Sequence, residues 1–386
     1  MMRYLRHFID NIKHKIYIFA GYIYKNSVLK NLYSGKHITR LNYLGRLSVK
    51  LLDFQWKSVK LHINNVCNLH CKNCYHRFEG EPMGQRQIFL FLDEVKKVIR
   101  NDNIRLDILG GEPLLRKDFM EIVEYSKKRI KINTVQLFTN AALINDDIAV
   151  KIRDSGVDIA VVPMHSHIEE IHDSITQCDG SWSQAIKGIR SLIKAGIRTY
   201  GFIIFMSCNV DTLKELELFV RRLGAKPIFF PYIKQRPCDD LWVDNRKKYH
   251  RSIDFAFKNS DKHTGQMLNL IYFRKKACPA FVNSITVKTD GTVTPCPFVN
   301  LKLGNINEQS FDKIVYDAYC NSRLIDFLSI PEECKPCSCV DICGGGCKAF
   351  RYQVYGDYKS KDINCSGPYK DKVAPSRLGE YIPYFF

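Results

Sequence analysis

Cys67-Asn-Leu-His-Cys71-Lys-Asn-Cys74-Tyr75 sets three thiols at C-x3-C-x2-C spacing, with an aromatic ring directly after the last. Three cysteines this close can wrap one iron–sulfur cube, each thiolate holding a different iron. Such cubes normally take four thiolates. A three-thiol site leaves one iron open to a small molecule, which can then receive an electron directly. A zinc site pairs C-x2-C with a second Cys/His pair at a fixed distance, and no such pair follows Cys74 for many residues. Downstream, the apolar run 104–109 leads into Gly110-Gly111-Glu112-Pro113. Two glycines at a strand end let a ligand approach the backbone closely, and Glu112 offers an acceptor for an ammonium group.

Together these two motifs resemble the radical S-adenosylmethionine (SAM) superfamily. The resemblance implies that Cys67, Cys71 and Cys74 hold a [4Fe–4S] cluster whose open iron takes the amino and carboxylate groups of SAM. It also implies that Tyr75, Gly110, Gly111, Glu112, Pro113, Asn140 and Asn209 line the cofactor. The chemistry it implies is reductive cleavage of SAM to methionine and a 5′-deoxyadenosyl radical, which takes hydrogen from an unactivated carbon. The cofactors carry that chemistry, while the protein orients them and excludes water. The reaction needs an electron donor such as flavodoxin or ferredoxin.

The elements that position these motifs follow from the pattern of the whole chain. Its 386 residues have room for a large barrel and a smaller domain. Strand patterns at 59–64, 104–109, 135–139, 158–162, 198–206 and 226–231 alternate with helical patterns at 87–100, 118–129, 146–154, 183–194 and 212–223. Gly156, Gly196 and Gly224 stand where three of the helices end. Six repeats are too few for a closed eight-stranded barrel. They fit an α/β fold, the partial (β/α)6 TIM-like barrel that the resemblance implies.

Ligand groups in such barrels sit at the C-terminal ends of strands, which selects Asn64, residues 110–112, Thr139, Asn140, His165, Asn209 and Tyr232. Asn140 and Asn209 can equally serve local turns or caps. His165 stands where relatives have a Ser-Leu-Asp-Gly strand end. That departure makes it the candidate acid/base residue. His172-Asp173 and Gly180-Ser181-Trp182 read as structural: His172 beside a helix start, Trp182 as a packing anchor.

Fifteen cysteines in one chain point to metal ligation in a reducing, cytoplasmic compartment, because the count is odd and the spacings are clustered. Cys278-x12-Gly291-x4-Cys296, then Cys334-x2-Cys337-x5-Cys343-x3-Cys347, then Cys365 resembles the seven-cysteine SPASM domain of auxiliary iron–sulfur clusters. Residues 285–287 and 292–294 around Asp290-Gly291 read as a β-hairpin. The resemblance implies one auxiliary [4Fe–4S] cluster on Cys334, Cys337, Cys343 and Cys365, and a second on Cys278, Cys296 and Cys347. Taken alone, Cys334, Cys337, Cys343 and Cys347 also fit a zinc ribbon. Relatives with a fourth ligand to the first auxiliary cluster carry it six residues after the first cysteine, where this chain has Ser284; Cys320 and Cys339 are possible substitutes. Cys178, Cys208 and Cys238, like Cys320 and Cys339, have buried apolar packing as their default role.

The net charge of +18 is concentrated at the N-terminal end, where residues 1–60 hold twelve Lys/Arg against Asp10 and Asp53. Leu5, Phe8, Ile12, Ile16, Phe19 and Ile23 recur at helical spacing. The apolar run 16–24 falls well short of the roughly 20 residues that span a bilayer. A basic amphipathic arm of this kind can rest on an anionic membrane at the cytoplasmic face, or on the protein's own surface. The organisation expected is an arm at 1–57, the barrel at 58–233, a helical bridge at 234–277, the SPASM domain at 278–365 and a tail at 366–386.

Auxiliary clusters either accept an electron from a substrate radical or position the substrate. Sulfatase-maturating relatives place an aspartate base after the G-x4-C cysteine. Pro297 stands there in this chain, which argues against that activity. The leading expectation is maturation of a ribosomally made peptide or protein, and the alternative is a small-molecule or lipid-linked substrate. Nucleic acid is disfavoured, since the charge lies in the arm and no RNA-binding module is evident.

Overall fold

The computed structural model describes residues 57–76, 80–99, 103–234, 239–259, 278, 280–281, 284–319, 321–338, 340, 344–363, 365 and 367–368. The basic arm, residues 260–277 of the bridge, all but two residues of the tail, and Cys238, Cys320, Cys339 and Cys343 lie outside them.

Strand and helix alternate from the start: β1 (Ser58–His62), α1 (Gln85–Val98), β2 (Arg105–Leu109), α2 (Phe119–Glu124), β3 (Thr134–Phe138), α3 (Asp146–Ser155), β4 (Ile159–Pro163), α4 (Glu169–Thr176), α5 (Ser181–Lys194), β5 (Arg198–Phe205), α6 (Leu213–Arg222) and β6 (Lys226–Pro231). There follow α7 (Arg246–Asn259), β7 (Ser284–Val287), β8 (Thr292–Thr294), β9 (Gly304–Asn305), α8 (Phe311–Tyr319), α9 (Ser322–Leu328) and α10 (Lys348–Tyr355). The first six strands stand side by side in chain order and all run parallel. Among the described residues the sheet does not close, and β6 is one of its edges. This is the partial barrel expected from the sequence.

At the other side β7 pairs parallel with β1 and then turns into the antiparallel ladder β7–β8–β9. The hairpin around Asp290-Gly291 forms as expected, with Gly291 at φ +84°. The cysteine-rich segment therefore adds strands to the barrel's own sheet.

Side chains alternate across each strand. Val59, Leu61, Leu106, Ile108, Val135, Leu137, Ile285 and Val287 point outward into one apolar core with the helices. The partner set, which includes Ser58, Lys60, His62, Asp107, Gln136, Phe138, Phe202, Phe230 and Thr286, faces the barrel interior by register.

Within the barrel two elements differ from the sequence reading. The helix expected over 118–129 is a short α2 followed by a π-helical turn, Tyr125–Arg129, closed by Ile130 N–H donating to Tyr125 O at 3.1 Å. Ser126 Oγ donates to the Ile122 carbonyl at 2.8 Å, a back-bond that bends helices. The second difference is α4, where His172 sits in the first turn.

Candidate active site

The cysteine loop leaves the top of β1 and is held from two sides. Gly111 N–H donates to Asn64 O at 3.0 Å and Glu112 N–H to Val66 O at 2.7 Å, tying it to the end of β2. His70 N–H donates to Thr176 O at 3.1 Å and Lys72 N–H to Ile175 O at 2.8 Å, tying it to the C-terminal end of α4. Cys67, Cys71 and Cys74 are unpaired thiols. Burial pushes all three up, Cys71 to about 12; the charges of Cys74 and Cys67 bear on Cys71, and that of Cys67 on Cys74. A cation shared among them relieves both costs, so the donor set fits an iron–sulfur cluster.

Gly110 and Gly111 are required by this packing. Gly110 has φ +146°, and a Cβ there would lie 2.7 Å from Asn64 O; a Cβ on Gly111 would lie 2.1 Å from Val66 O. The close approach expected for a ligand is thus made by the cysteine loop's own backbone.

Glu112 is 1% exposed. Its Oε1 accepts from Leu114 N–H at 3.2 Å and Thr139 Oγ1 at 2.7 Å, while Oε2 accepts from Asn140 N–H at 2.8 Å. A carboxylate has about four acceptor positions, so one remains on Oε2. Burial raises Glu112 to about 7 against the pull of these donors. Pro113, also buried, opens the short 3-10 turn that Glu112 caps. Arg116, passed over in the sequence reading, donates from Nη1 to Ile63 O at 2.7 Å and Met83 O at 2.8 Å, and braces the start of the same loop.

The strand-end residues divide by what their side chains do. Asn140 Nδ2 donates to Asn68 Oδ1 at 2.8 Å and approaches Cys67 Sγ at 3.9 Å, so it touches the cysteine loop. Asn145, not Asn140, caps α3. Asn209, expected at the cofactor, spends both amide hydrogens on backbone: His165 O at 2.8 Å and Ile204 O at 2.9 Å. It staples the ends of β4 and β5 together. Tyr232 donates its hydroxyl to Asp239 at 2.7 Å.

His165, expected as an acid/base group, is buried against His172, whose Nδ1 accepts its backbone N–H at 3.3 Å. Burial and the neighbouring imidazole hold it neutral, well below its ordinary range. That environment counts against proton transfer near neutral pH. Asp173 accepts from Gly180 N–H, Ser181 Oγ and Trp182 N–H at 2.6–2.8 Å, locking α4 to the start of α5. Trp182 stacks on Phe219 at 5.6 Å, the packing role expected of it.

The second cysteine field sorts into two groups. Cys347 feels the charges of Cys278 and Cys296. Cys334 feels Cys365 and Cys337, and Cys365 feels Cys337. Gly344, Gly345 and Gly346 all take positive φ, and a Cβ on Gly346 would lie 2.7 Å from Asp362 Oδ2. Among the described residues no three Cys, His, Asp or Glu side chains are grouped tightly enough for a single metal ion. Ser284 is buried at the start of β7.

The barrel interior links the two cysteine fields. Tyr75, next to Cys74, packs on Phe298 at 4.7 Å, and Phe298 lies two residues beyond Cys296. The row continues through Phe230 at 6.1 Å, Phe202 at 5.8 Å and Phe138 at 6.3 Å.

Residues 61–221 match the family described as the Radical SAM superfamily, and residues 278–339 match the iron–sulfur cluster-binding domain SPASM. The chain is 22% identical over 352 residues to the AdoMet-dependent heme synthase of Oleidesulfovibrio alaskensis, covering 82% of this chain and 88% of that protein. It is 30% identical over 259 residues to a probable GTP 3',8-cyclase of Methanococcus maripaludis, covering 63% and 85%. With the subtilosin biosynthesis protein AlbA of Bacillus subtilis it shares 27% identity over 260 residues, covering 65% and 58%. Native anSMEcpe with bound AdoMet has the same fold, with a TM-score of 0.67 at 19% identity over 83% of this chain and 96% of that one. Streptococcus suis SuiB bound to precursor peptide SuiA gives 0.65 at 16% identity over 86% and 80%. Among the described residues no helix is long and apolar enough to cross a membrane. With the three-thiol loop after β1 and the grouped cysteines from residue 278 onward, these matches place the chain in the radical SAM superfamily, enzymes that work with [4Fe–4S] clusters and SAM, and give it a SPASM cluster-binding domain.

Proposed function

We propose that this enzyme matures a ribosomally made peptide or protein by radical chemistry, through a cross-link, thioether, epimerised centre or oxidation. The observation that carries the reading is the open sheet. Among the described residues β6 stands at an edge of the sheet, and a sheet edge can take up an extended peptide as a further strand. The likeness to SuiB, solved with its precursor peptide, and to AlbA supports the same substrate class.

Cys67, Cys71 and Cys74 would hold the [4Fe–4S] cluster, which when reduced supplies the electron that splits SAM and yields the hydrogen-abstracting radical. The remaining acceptor position of Glu112 Oε2 receives the SAM ammonium, and burial there makes that charge pair strong. Asn140 orients the loop through Asn68 and Cys67. Asn209 acts as a positioning residue for the strand ends. Cys278, Cys296, Cys347 and Cys334, Cys337, Cys343, Cys365 hold the auxiliary clusters, to which an electron from a substrate radical can pass. The aromatic row from Tyr75 to Phe138 excludes water from the chamber. Flavodoxin or ferredoxin serves as electron donor.

The test is anaerobic incubation of the reconstituted enzyme, SAM and reductant with short peptides encoded beside its gene, followed by mass spectrometry. A SAM-dependent loss of hydrogen mass from one peptide supports the reading. Turnover of heme precursors or nucleotides with no peptide modified would replace it.

A second reading is favoured by the names of two relatives, a heme synthase and a GTP cyclase. Here the substrate is a small or lipid-linked molecule, and the basic arm rests on the membrane. Liposome sedimentation with and without residues 1–57 tests the arm. Salt-sensitive binding lost on truncation supports membrane contact.

A further inference from the structure

The inner faces of β1 and β7 carry polar side chains beside the second cysteine field, Lys60 lying close enough to feel the charges of Cys296 and Cys278. Lys60 and His62 are two residues apart on β1 and share a face, and Lys60 stands opposite Thr286 in the β1–β7 register. His62 is 2% exposed and Thr286 fully buried. Among the described residues, both ring nitrogens of His62 and the Thr286 hydroxyl have no hydrogen-bond partner. Protein interiors satisfy nearly all such atoms, so unsatisfied atoms on adjoining strands mark a place that a ligand completes.

Charge points the same way. Lys60 stands opposite Asp107 of β2. Among the described residues Asp107 is the one carboxylate whose charge reaches Lys60. Arg105, however, takes both Asp107 oxygens, at 2.5 and 3.1 Å, so Lys60 shares that carboxylate; burial pushes the Lys60 ammonium down, and Cys296 and Cys278 are the other negative groups whose charge supports it. Lys288, whose Nζ donates to Asn300 Oδ1 at 2.6 Å, stands nearby, and the charges of both lysines reach the His62 ring and Cys296. His62 also meets Tyr75 edge-on at 6.0 Å, so the cationic corner adjoins the aromatic row.

We propose that Lys60, His62 and Thr286 form a subsite for a carboxylate of the substrate, whose apolar part packs on Tyr75, Phe298 and Phe230. The inference rests on the peptide reading, in which the recognised element is an acidic residue beside an aromatic or aliphatic one. Lys60 supplies the charge, and His62 and Thr286 supply neutral donors. The subsite holds that residue between the three-thiol loop and Cys296.

The probes are N-acetyl-Phe-Asp-amide and N-acetyl-Phe-Asn-amide, titrated into the reconstituted, SAM-loaded enzyme and followed by calorimetry. The aspartyl probe is expected to bind about tenfold tighter or more, the loss that follows deletion of one charge-assisted hydrogen bond. The preference disappears in Lys60→Met, weakens in Thr286→Val and survives in Lys60→Arg, all at wild-type iron content. Equal affinity of the two probes for the wild type, or a preference retained in Lys60→Met, overturns the subsite. So does a Lys60→Met variant whose auxiliary-cluster midpoint potential moves while the preference stays, for the lysine then serves only as the cluster's counter-charge. A third probe, 3-phenylpropanoate, separates the two readings. If it matches the aspartyl probe and no peptide is ever modified, the subsite stands and the peptide reading falls. If a peptide is modified but no probe shows a charge preference, the subsite falls and the peptide reading stands.

Discussion

Replacing Gly111 by alanine tests how the cysteine loop is held. The new Cβ would sit 2.1 Å from Val66 O and 2.5 Å from Val66 C, both backbone atoms, against 3.4 Å for ordinary contact. The loop must move by more than 1 Å, and no rotamer change relieves the overlap. That movement breaks the Gly111–Asn64 and Glu112–Val66 hydrogen bonds, each worth about 1 kcal/mol. Forced overpacking adds about 1–3 kcal/mol, for a total of about 3–5 kcal/mol. Gly180→Ala is the control, because its Cβ meets nothing within 4 Å and only φ +77° is strained, which costs about 1–2 kcal/mol. Denaturant unfolding of both variants gives the energies, and iron per chain with 5′-deoxyadenosine yield gives the consequence at Cys67, Cys71 and Cys74. The expected result is a large stability loss and poor loading of the first site in Gly111→Ala, with neither deficit of that size in Gly180→Ala. Equal midpoints for the two variants, or a Gly111→Ala enzyme that loads iron and cleaves SAM normally, would refute the packing argument.

Acidification should destabilise the protein. Burial holds His62 near 3 and His172 near 4, whereas both take up a proton near 6.5 when unfolded; the unfolded chain therefore binds more protons below that pH, and stability present above 6.5 is lost as pH falls toward 4. Glu112, held up near 7, opposes this between about 4.5 and 7, but it is one group against two, so urea midpoints should fall from about pH 7 to pH 5, and a flat or rising profile would contradict the burial. Asp173→Ala removes the acceptor of three donors at the start of α5 and should cost about 2 kcal/mol; because Ile175 O and Thr176 O anchor the cysteine loop, iron at the first site should also be lost faster on dilution into chelator. Asn140→Ala should weaken SAM binding measured by calorimetry about tenfold while leaving the auxiliary-cluster spectra unchanged.

The thiol spacings, the Asp290-Gly291 hairpin and the helix-ending glycines were legible because each is a local demand on a few neighbouring residues. Gly156, Gly196 and Gly224 do take positive φ at helix ends. What resisted reading depends on partners far along the chain. Nothing local in Gly110-Gly111 reveals that residues 64–66 press against them. Asn140 and Asn145 look equally fit to cap a helix until the geometry assigns the cap to Asn145. Helix α4 was missed because residues 166–176 mix two histidines, three acids and few apolar positions, and its worth lies in two carbonyls offered to the cysteine loop. The polar and aromatic sides of the barrel interior emerge only with the strand register, since alternation defines two faces but not which is inward. Lys60 and His62 therefore gave no signal in sequence that their outward neighbours did not also give.

The central claim is that the loop of Cys67, Cys71 and Cys74 starts the radical. Anaerobically reconstituted protein, given SAM and a strong reductant, should release 5′-deoxyadenosine and methionine. A triple Cys→Ala variant at 67, 71 and 74 should release neither while keeping the iron of its auxiliary clusters. A fully loaded wild-type enzyme that makes no 5′-deoxyadenosine, or a triple variant that still makes it, would contradict the account.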